Sequence, residues 1–478
     1  MMPTHRRAKI VCTLGPATST YKMIDKLVLA GMDVARLNYS HGTHEDRARL
    51  VAEVRRASAR HEKPVGILAD LQGPKIRTGA LVLGKPVRLR FGQSFMITIR
   101  NVEGTEEGVS TTFRALPESV HKGDRILLCD GNIALRVISS RGSDVITQVE
   151  NGGDLGQHQG INLPGIKLKI PSLTPKDRQD LVYALELGAN YVALSFVRTA
   201  ADVLAAKKAI ARAGKQTPVM AKLEKPEAID NLDEILAVSD LVMVARGDLG
   251  VEMSPEKVPV VQKQIITRAR DALVPVVTAT QMLDSMQKSP RPTRAEASDV
   301  ANAIFDGSDA LMLSGETAAG MYPLESVAMM DRIITEAENS VTSLPRPARS
   351  GDLQINEAIA EAICHAAEEL HLKVVAVFTE RGSSAGLVSK YRPRAPIVAF
   401  SPVQETRRRL ALYWGVLPRS LGRIRDIDEL TEAAEKRLLE EKLVKPGDII
   451  GVIAGTPIGT TGSTNLMRLL RIGGKNGG

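Results

Sequence analysis

Short apolar runs rich in Val, Ile, Leu and Ala alternate along the chain with stretches whose apolar positions recur at helical spacing. These two periods predict strands at about 8–14, 32–38, 65–71, 190–196, 218–224, 240–246, 275–281 and 309–315. Helical stretches follow most of them, among them 45–60, 175–187, 255–272 and 294–305. Strands alternating with helices make a parallel sheet, and near-continuous apolarity means both faces are covered. Eight such units imply an α/β fold of the (β/α)8 barrel type; a doubly wound open sheet is the alternative.

One gap breaks the rhythm. Between the third and fourth strands the pattern turns to short β-rich runs (87–91, 95–99, 125–128, 134–138, 145–149) punctuated by Gly, Pro, Asp and Asn. These read as a small β domain, a β-barrel inserted into a barrel loop and placed to close over the mouth as a lid. Gly152-Gly153 and Pro164-Gly165 would lie near its return hinge. After Ser340 a Pro-rich linker leads to a second alternating region: helix 355–370, strands 373–379 and 397–400, helix 426–442, strand 448–454. The expected organisation is a barrel (1–73 and 166–340), an inserted β lid domain (74–165) and a C-terminal α/β domain (341–478).

Composition narrows the partners. The 478 residues carry a net charge of +8 with only 3% aromatics. The cations are dispersed, and aromatics are too few for a base-stacking surface, so nucleic acid is not the expected partner. Anionic phosphorylated small molecules suit the same charge. Cys12, Cys129 and Cys364 are scattered, which fits a reducing compartment and gives no disulfide framework. The start runs into a strand without room for a signal peptide, and no apolar run is long enough to span a membrane. The expected location is the cytoplasm, with no membrane partner.

In a barrel, active-site groups gather at the carboxyl ends of the strands. Those ends read Arg36-Leu-Asn38-Tyr-Ser40-His41, Asp70-Leu-Gln72-Gly-Pro-Lys75-Ile-Arg77, Lys222-Leu-Glu224, Arg246-Gly247-Asp248, Thr278-Ala-Thr280-Gln281 and Ser314-Gly-Glu316-Thr317. Cations, carboxylates and hydroxyls recur at one mouth. Lys222 and Glu224, two apart on a strand, face the same side, and Asp248 from the next strand can share a divalent metal with Glu224. A metal clamp beside fixed positive charge, with Arg246 adjacent, is what moving a phosphoryl group requires. Gly79 to Lys85 matches a phosphate-binding loop except that Pro86 replaces the final hydroxyl, and it lies in the β-rich insertion, so it reads as coincidence. His41 and His44 have metal-like spacing but fit a loop and a helix start better. Asn38-Tyr-Ser40 is a glycosylation sequon only in a secreted chain. In the C-terminal domain, Thr379-Glu-Arg-Gly-Ser383-Ser384 between a strand and a helix makes a phosphate cradle or an ordinary helix cap.

An ordered set of motifs runs nearly the length of the chain. It comprises Lys-Ile-Val-Cys-Thr-Leu-Gly-Pro-Ala near the start, Ala35-Arg-Leu-Asn-Tyr-Ser-His-Gly, Gln72-Gly-Pro-Lys-Ile-Arg-Thr-Gly and Gly160-Ile-Asn-Leu-Pro-Gly. Beyond these come Ala245-Arg-Gly-Asp-Leu-Gly-Val-Glu, Ala279-Thr-Gln-Met-Leu-Asp-Ser-Met, Pro290-Arg-Pro-Thr-Arg-Ala-Glu, Met312-Leu-Ser-Gly-Glu-Thr-Ala and Tyr391-Arg-Pro-Arg-Ala-Pro. With them the sequence resembles the pyruvate kinases.

The resemblance implies phosphoryl transfer from phosphoenolpyruvate to ADP, giving ATP and pyruvate. It implies that Glu224 and Asp248 hold Mg2+, that Lys222 neutralises the phosphoryl group in transit, and that Arg36 clamps the phosphate. Gly247 would offer its N–H to the substrate carboxylate, and Thr280 would stand where the enolate is protonated. Arg77, Asn38 and His41 match nucleotide-side positions, and a second Mg2+ would arrive with the nucleotide. A phosphorylated allosteric effector is expected at Thr379, Ser383 and Ser384, with the 455–464 loop nearby, and a homotetramer is expected. Two positions depart from the family's pattern. Many members bind K+ through residues matching Asn38, Ser40, Asp70 and position 71, supported by a glutamate at position 75. Here position 71 is Leu and position 75 is Lys. The expectation is that the Lys75 ammonium replaces K+. Many members carry a lid lysine where this chain has His158-Gln159, which leaves open whether His158 replaces the lysine's nucleotide contact. The rival readings are a Mg2+-dependent lyase on a similar barrel and a non-catalytic phosphometabolite sensor.

Overall fold

The computed structural model describes residues 6–166, 168, 170–341, 343–348, 353–424, 426–457 and 464–474. Eight parallel strands form a closed barrel: β1 (Lys9–Thr13), β2 (Val34–Asn38), β3 (Gly66–Asp70), β4 (Tyr191–Leu194), β5 (Val219–Leu223), β6 (Leu241–Ala245), β7 (Val276–Ala279) and β8 (Ala310–Leu313). Each pairs with its neighbours in sequence, and β8 closes on β1. All eight coincide with the apolar runs, within a few residues at the ends.

Alternation along the strands builds both the core and the mouth. Val34, Leu68, Ala193 and Met220 point inward and fill the barrel with Leu241, Met243, Val277 and Met312. Two residues further along the same strands or their ends come Arg36, Asp70, Ser195 and Lys222, which therefore face inward at the mouth. The opposite faces pack on the surrounding helices in a second, larger core. Helices start where Thr and an acid three residues on can satisfy free amides: Thr43 with Asp46, Thr174 with Asp177, Thr293 with Glu296.

The chain leaves the barrel at Gly73, where φ is +68° and a Cβ would lie 2.7 Å from the Phe196 ring. Only glycine fits that close approach. Residues beyond it form a six-stranded sheet and a two-stranded one around their own apolar core. Arg198 returns from the barrel to hold the carbonyls of Leu168 and Ile170 where the chain comes back.

The C-terminal domain is a five-stranded sheet in the order Val416–Ser420, Ile397–Ser401, Val374–Phe378, Ile449–Gly455, Thr464–Arg471. Apolar clusters cover both its faces. It docks on the barrel end opposite the mouth, where Leu412 joins the barrel's inner core. The pattern did not predict the strands Val416–Ser420 and Thr464–Arg471, whose residues are mixed polar and apolar.

Candidate active site

At the mouth, Lys222 is the hub. Its Nζ donates to Ser195 Oγ at 2.8 Å and lies 3.4 Å from both Asp70 Oδ1 and Glu224 Oε2. Burial works against its charge, but Asp70, Glu224 and Asp248 outweigh that and hold the ammonium well above the ordinary lysine range. Arg36 donates from Nε to Asp70 Oδ2 at 2.7 Å and from Nη1 to Thr13 Oγ1 at 2.9 Å. For Asp70, burial favours the neutral acid, yet Lys222 and Arg36 prevail and keep its pKa low.

Glu224 behaves oppositely. Burial, helped by Asp248 and Asp70, outweighs Lys222 and pushes its carboxyl up to about 7. Its Oε1 accepts from the Phe196 N–H at 2.6 Å, while the buried Oε2 has no hydrogen-bond partner. Asp248 stands on the short helix Arg246–Glu252 that follows β6, close enough for its charge to act on both Lys222 and Glu224. No hydrogen bond or ion pair with the described residues engages it. A cation fits this pair of carboxylates, one of them strained by burial and repulsion. Among the described residues no three His, Cys, Asp or Glu stand together as a metal cage. A small hard cation that completes its shell with substrate oxygens and water, as Mg2+ does, suits two carboxylates.

The rim separates into groups that face the mouth and groups that hold the frame. Thr280 and Gln281 have φ of +71° and +52°, and Thr280 Oγ1 accepts the Gly247 N–H at 2.7 Å. Arg246 turns away from the carboxylates, donating to Thr280 O at 2.7 Å and Asp299 Oδ1 at 2.7 Å. Thr278 bonds Ser308, Glu316 accepts the Leu283 and Ser314 N–H groups, and Thr317 bonds Thr13 O. These last three are frame, not mouth. Asn38 Oδ1 accepts the Ser40 N–H at 3.0 Å and shapes the turn that exposes His41. Burial and the cations Arg77, Lys75, Arg36 and Arg47 all lower the His41 pKa and favour the neutral ring. His44 pairs with Asp180 at 2.7 Å and stacks on Tyr183, a structural role. Arg77 Nη1 bonds His158 O at 2.9 Å. Lys75 lines a cleft with Asp130, Asn162, Lys225 and Asp248, and Leu71 is buried in the barrel–helix core.

In the C-terminal domain Thr379 Oγ1 accepts the Gly382 N–H at 2.9 Å, Ser383 is exposed, and Ser384 Oγ lies 2.6 Å from Thr464 Oγ1. Most of the 455–464 loop (458–463) lies outside the described residues.

Comparison with known proteins agrees with this geometry. A family model for the pyruvate kinase barrel domain matches residues 5–327, and one for the pyruvate kinase alpha/beta domain matches 357–470. The chain belongs to the pyruvate kinase family. It is 46% identical over 468 residues to the pyruvate kinase of Mycobacterium intracellulare, covering 98% of this chain and 99% of that one. With the Corynebacterium glutamicum pyruvate kinase it shares 44% over 473 residues, 98% of each chain. A crystal structure of a pyruvate kinase from Cryptosporidium parvum superposes with a TM-score of 0.91 at 38% identity, covering 98% of this chain and 96% of that one. The protein is therefore an enzyme, a phosphotransferase.

Several of the groups that set this pyruvate kinase site were not singled out from sequence. Ser195 and the Phe196 N–H hold Lys222 and Glu224 from the end of β4, and Thr13 holds Arg36 from β1. A hydroxyl closing the apolar strand 190–196 was the available signal for Ser195; a backbone N–H leaves none.

Proposed function

We propose that the protein transfers the phosphoryl group of phosphoenolpyruvate to ADP, forming ATP and pyruvate, as a cytoplasmic homotetramer. The observation that carries this reading is the Lys222 ammonium ringed by Asp70 and Glu224, with Glu224 Oε2 buried and without a hydrogen bond. Glu224 and Asp248 would hold Mg2+, which when bound supplies positive charge to the substrate's oxygens. Lys222 keeps its proton throughout and neutralises the group in transit from a fixed position. Arg36 has Nε and Nη1 committed to Asp70 and Thr13, so its plane is set and Nη2 is left for a phosphate oxygen. Gly247 and Thr280 orient the carboxylate end of the substrate, with Thr280 beside the carbon that takes up a proton. Asn38, His41 and Arg77 receive the nucleotide, which brings a second Mg2+. The inserted domain closes over them as a lid, with residues 74–165 moving apart from 1–73 and 166–340. The domain 341–478 binds a phosphorylated effector at Thr379, Ser383 and Ser384.

The deciding assay is pyruvate release from phosphoenolpyruvate. It should require ADP and a divalent cation and fall by several orders of magnitude in Lys222→Met. Release without ADP would favour a lyase, and no turnover a sensor. Activity should also be independent of K+. Position 71 offers only a buried leucine side chain, and in this reading the Lys75 ammonium stands in for the monovalent ion. Strong activation on adding K+ to a buffer free of Na+ and K+ would overturn this part alone.

A further inference from the structure

Two residues outside the reacting groups close a ring around the paired carboxylates. Lys225 directly follows Glu224, and along an extended chain it points to the other side. There its Nζ meets Glu252 Oε1 at 2.7 Å and lies 5.4 Å from the centre of the Phe196 ring. Phe196 is the residue whose N–H fixes Glu224 Oε1, and it does so from a left-handed backbone, φ +57°. Glu252 ends the helix that begins at Arg246 and carries Asp248. The pair thus links the segment bearing one carboxylate to the helix bearing the other. The same Glu252 Oε1 accepts a hydrogen bond from Asn162 Nδ2 at 2.9 Å, and Asn162 belongs to the last strand of the inserted domain. Side-chain exposure is 13% for Lys225 and 2% for Glu252, so water screens the pair little.

We propose that Lys225 and Glu252 are positioning residues that set the spacing of Glu224 and Asp248, and that Asn162 makes this spacing depend on contact with the inserted domain. The inference rests on the reading of Glu224 and Asp248 as cation ligands. In this reading Lys225 is engaged by the buried Glu252 rather than by substrate. Their effect comes through preorganisation: carboxylates held at the right separation lose less freedom when a cation binds, and groups supporting metal ligands commonly govern affinity by tenfold or more. A second lid contact falls on the same helix, since a Cβ on Gly131 would come within 3.8 Å of Val251. The inserted domain therefore bears on the Asp248 helix at two points.

The test is Mn2+ binding to the full-length protein without substrate, read by electron paramagnetic resonance, alongside kcat, KM and hydrogen exchange of the 160–163 segment. Lys225→Met should weaken Mn2+ about tenfold and speed exchange at 160–163, and Lys225→Arg should restore both. Asn162→Ala, which leaves the ion pair whole, should weaken Mn2+ by a smaller factor of about three and lower kcat more than it raises KM for phosphoenolpyruvate. A lowered melting temperature with unchanged Mn2+ affinity in Lys225→Met would reduce the pair to a structural bridge and overturn the proposal. Should that variant not fold, unchanged Mn2+ affinity in Asn162→Ala overturns the lid coupling and an intermediate value supports it. Failure of the wild-type protein to bind Mn2+ would instead sink the functional reading.

Discussion

Glu224 is the residue where function costs stability. An ordinary glutamate ionises near 4.5, but here burial and the neighbouring Asp248 and Asp70 raise it to about 7. Between those values the folded protein holds a proton that the unfolded chain has released. Stability from this group is therefore largest below pH 4.5 and falls as pH rises to about 7. Cation binding needs the carboxylate, so affinity should run the other way. We expect Mn2+ affinity to climb about tenfold per pH unit from pH 5.5 to 7 and then level off, because each cation displaces one proton. Glu224→Gln keeps the shape and the Phe196 contact. At pH 8 it should melt roughly 2–4 °C higher than wild type while losing Mn2+ binding and turnover, measurable by calorimetry and resonance. The place of Lys222, Glu224, Asp248 and Arg36 at the mouth was legible because they stand at or just past the ends of apolar strands. Alternation turns Lys222 and Glu224 to one side, while the roles given to all four came from the family resemblance. The pKa shifts of Lys222 and Glu224 were not legible, since burial and the approach of Asp70 arise only once β3 and β5 have closed around Ser195.

At the scale of elements, the strand end that carries Thr280 depends on a clamp from its neighbour. Two successive non-glycine residues in the left-handed region are unfavourable by about 1 kcal/mol or more each and persist only when surroundings enforce them. Arg246 supplies the enforcement. From the start of the helix after β6 it binds Thr280 O, reaches Ala279 O at 3.3 Å, and anchors on Asp299 of the helix Arg294–Asp306. The charged run past β6 places Arg246 with the carboxylates, but the helix turn at 246 rotates it away from them and toward β7. Arg246→Leu should let Thr280 relax, lowering kcat about 100-fold with a smaller change in KM, while Arg246→Lys recovers only part because one ammonium cannot span both acceptors. A crystal structure of the leucine variant showing φ of Thr280 still near its present value, with kcat intact, would refute the clamp. Barrel strands and helices were readable because apolar period is a local property of the chain. The strands Val416–Ser420 and Thr464–Arg471 lie at the two sheet edges, where one side is solvated and the apolar signal thins.

Across the whole molecule, the C-terminal domain packs on the barrel end opposite the mouth, and Asp309 is one of the joints. Just before β8, its Oδ2 accepts the Val276 N–H of β7 at 2.8 Å and Lys390 Nζ at 2.9 Å, while Oδ1 lies 2.9 Å from Arg392 Nη2. All three side chains are at most 2% exposed. One carboxylate thus holds two cations of the C-terminal domain and the base of the strand whose far end is Thr280. Asp309→Asn keeps the shape but leaves two buried charges uncompensated, which should cost roughly 3–5 kcal/mol of stability at pH 7. The pH dependence identifies the cause. Burial lowers the Lys390 pKa to about 8 despite Asp309, so between about 8 and 10.5 the unfolded chain holds a proton that the folded protein has lost. Stability from this group accordingly rises with pH across that window. Without Asp309 the Lys390 pKa drops further and the folded protein sheds the proton earlier. The stability deficit of Asp309→Asn, measured by urea unfolding, should therefore shrink from pH 7 to pH 9. The pair Asp309→Asn with Lys390→Met should be less damaging than Asp309→Asn alone. A deficit constant across that range would mean that lost packing, not the stranded ammonium, is what the substitution costs, and that the joint is not electrostatic.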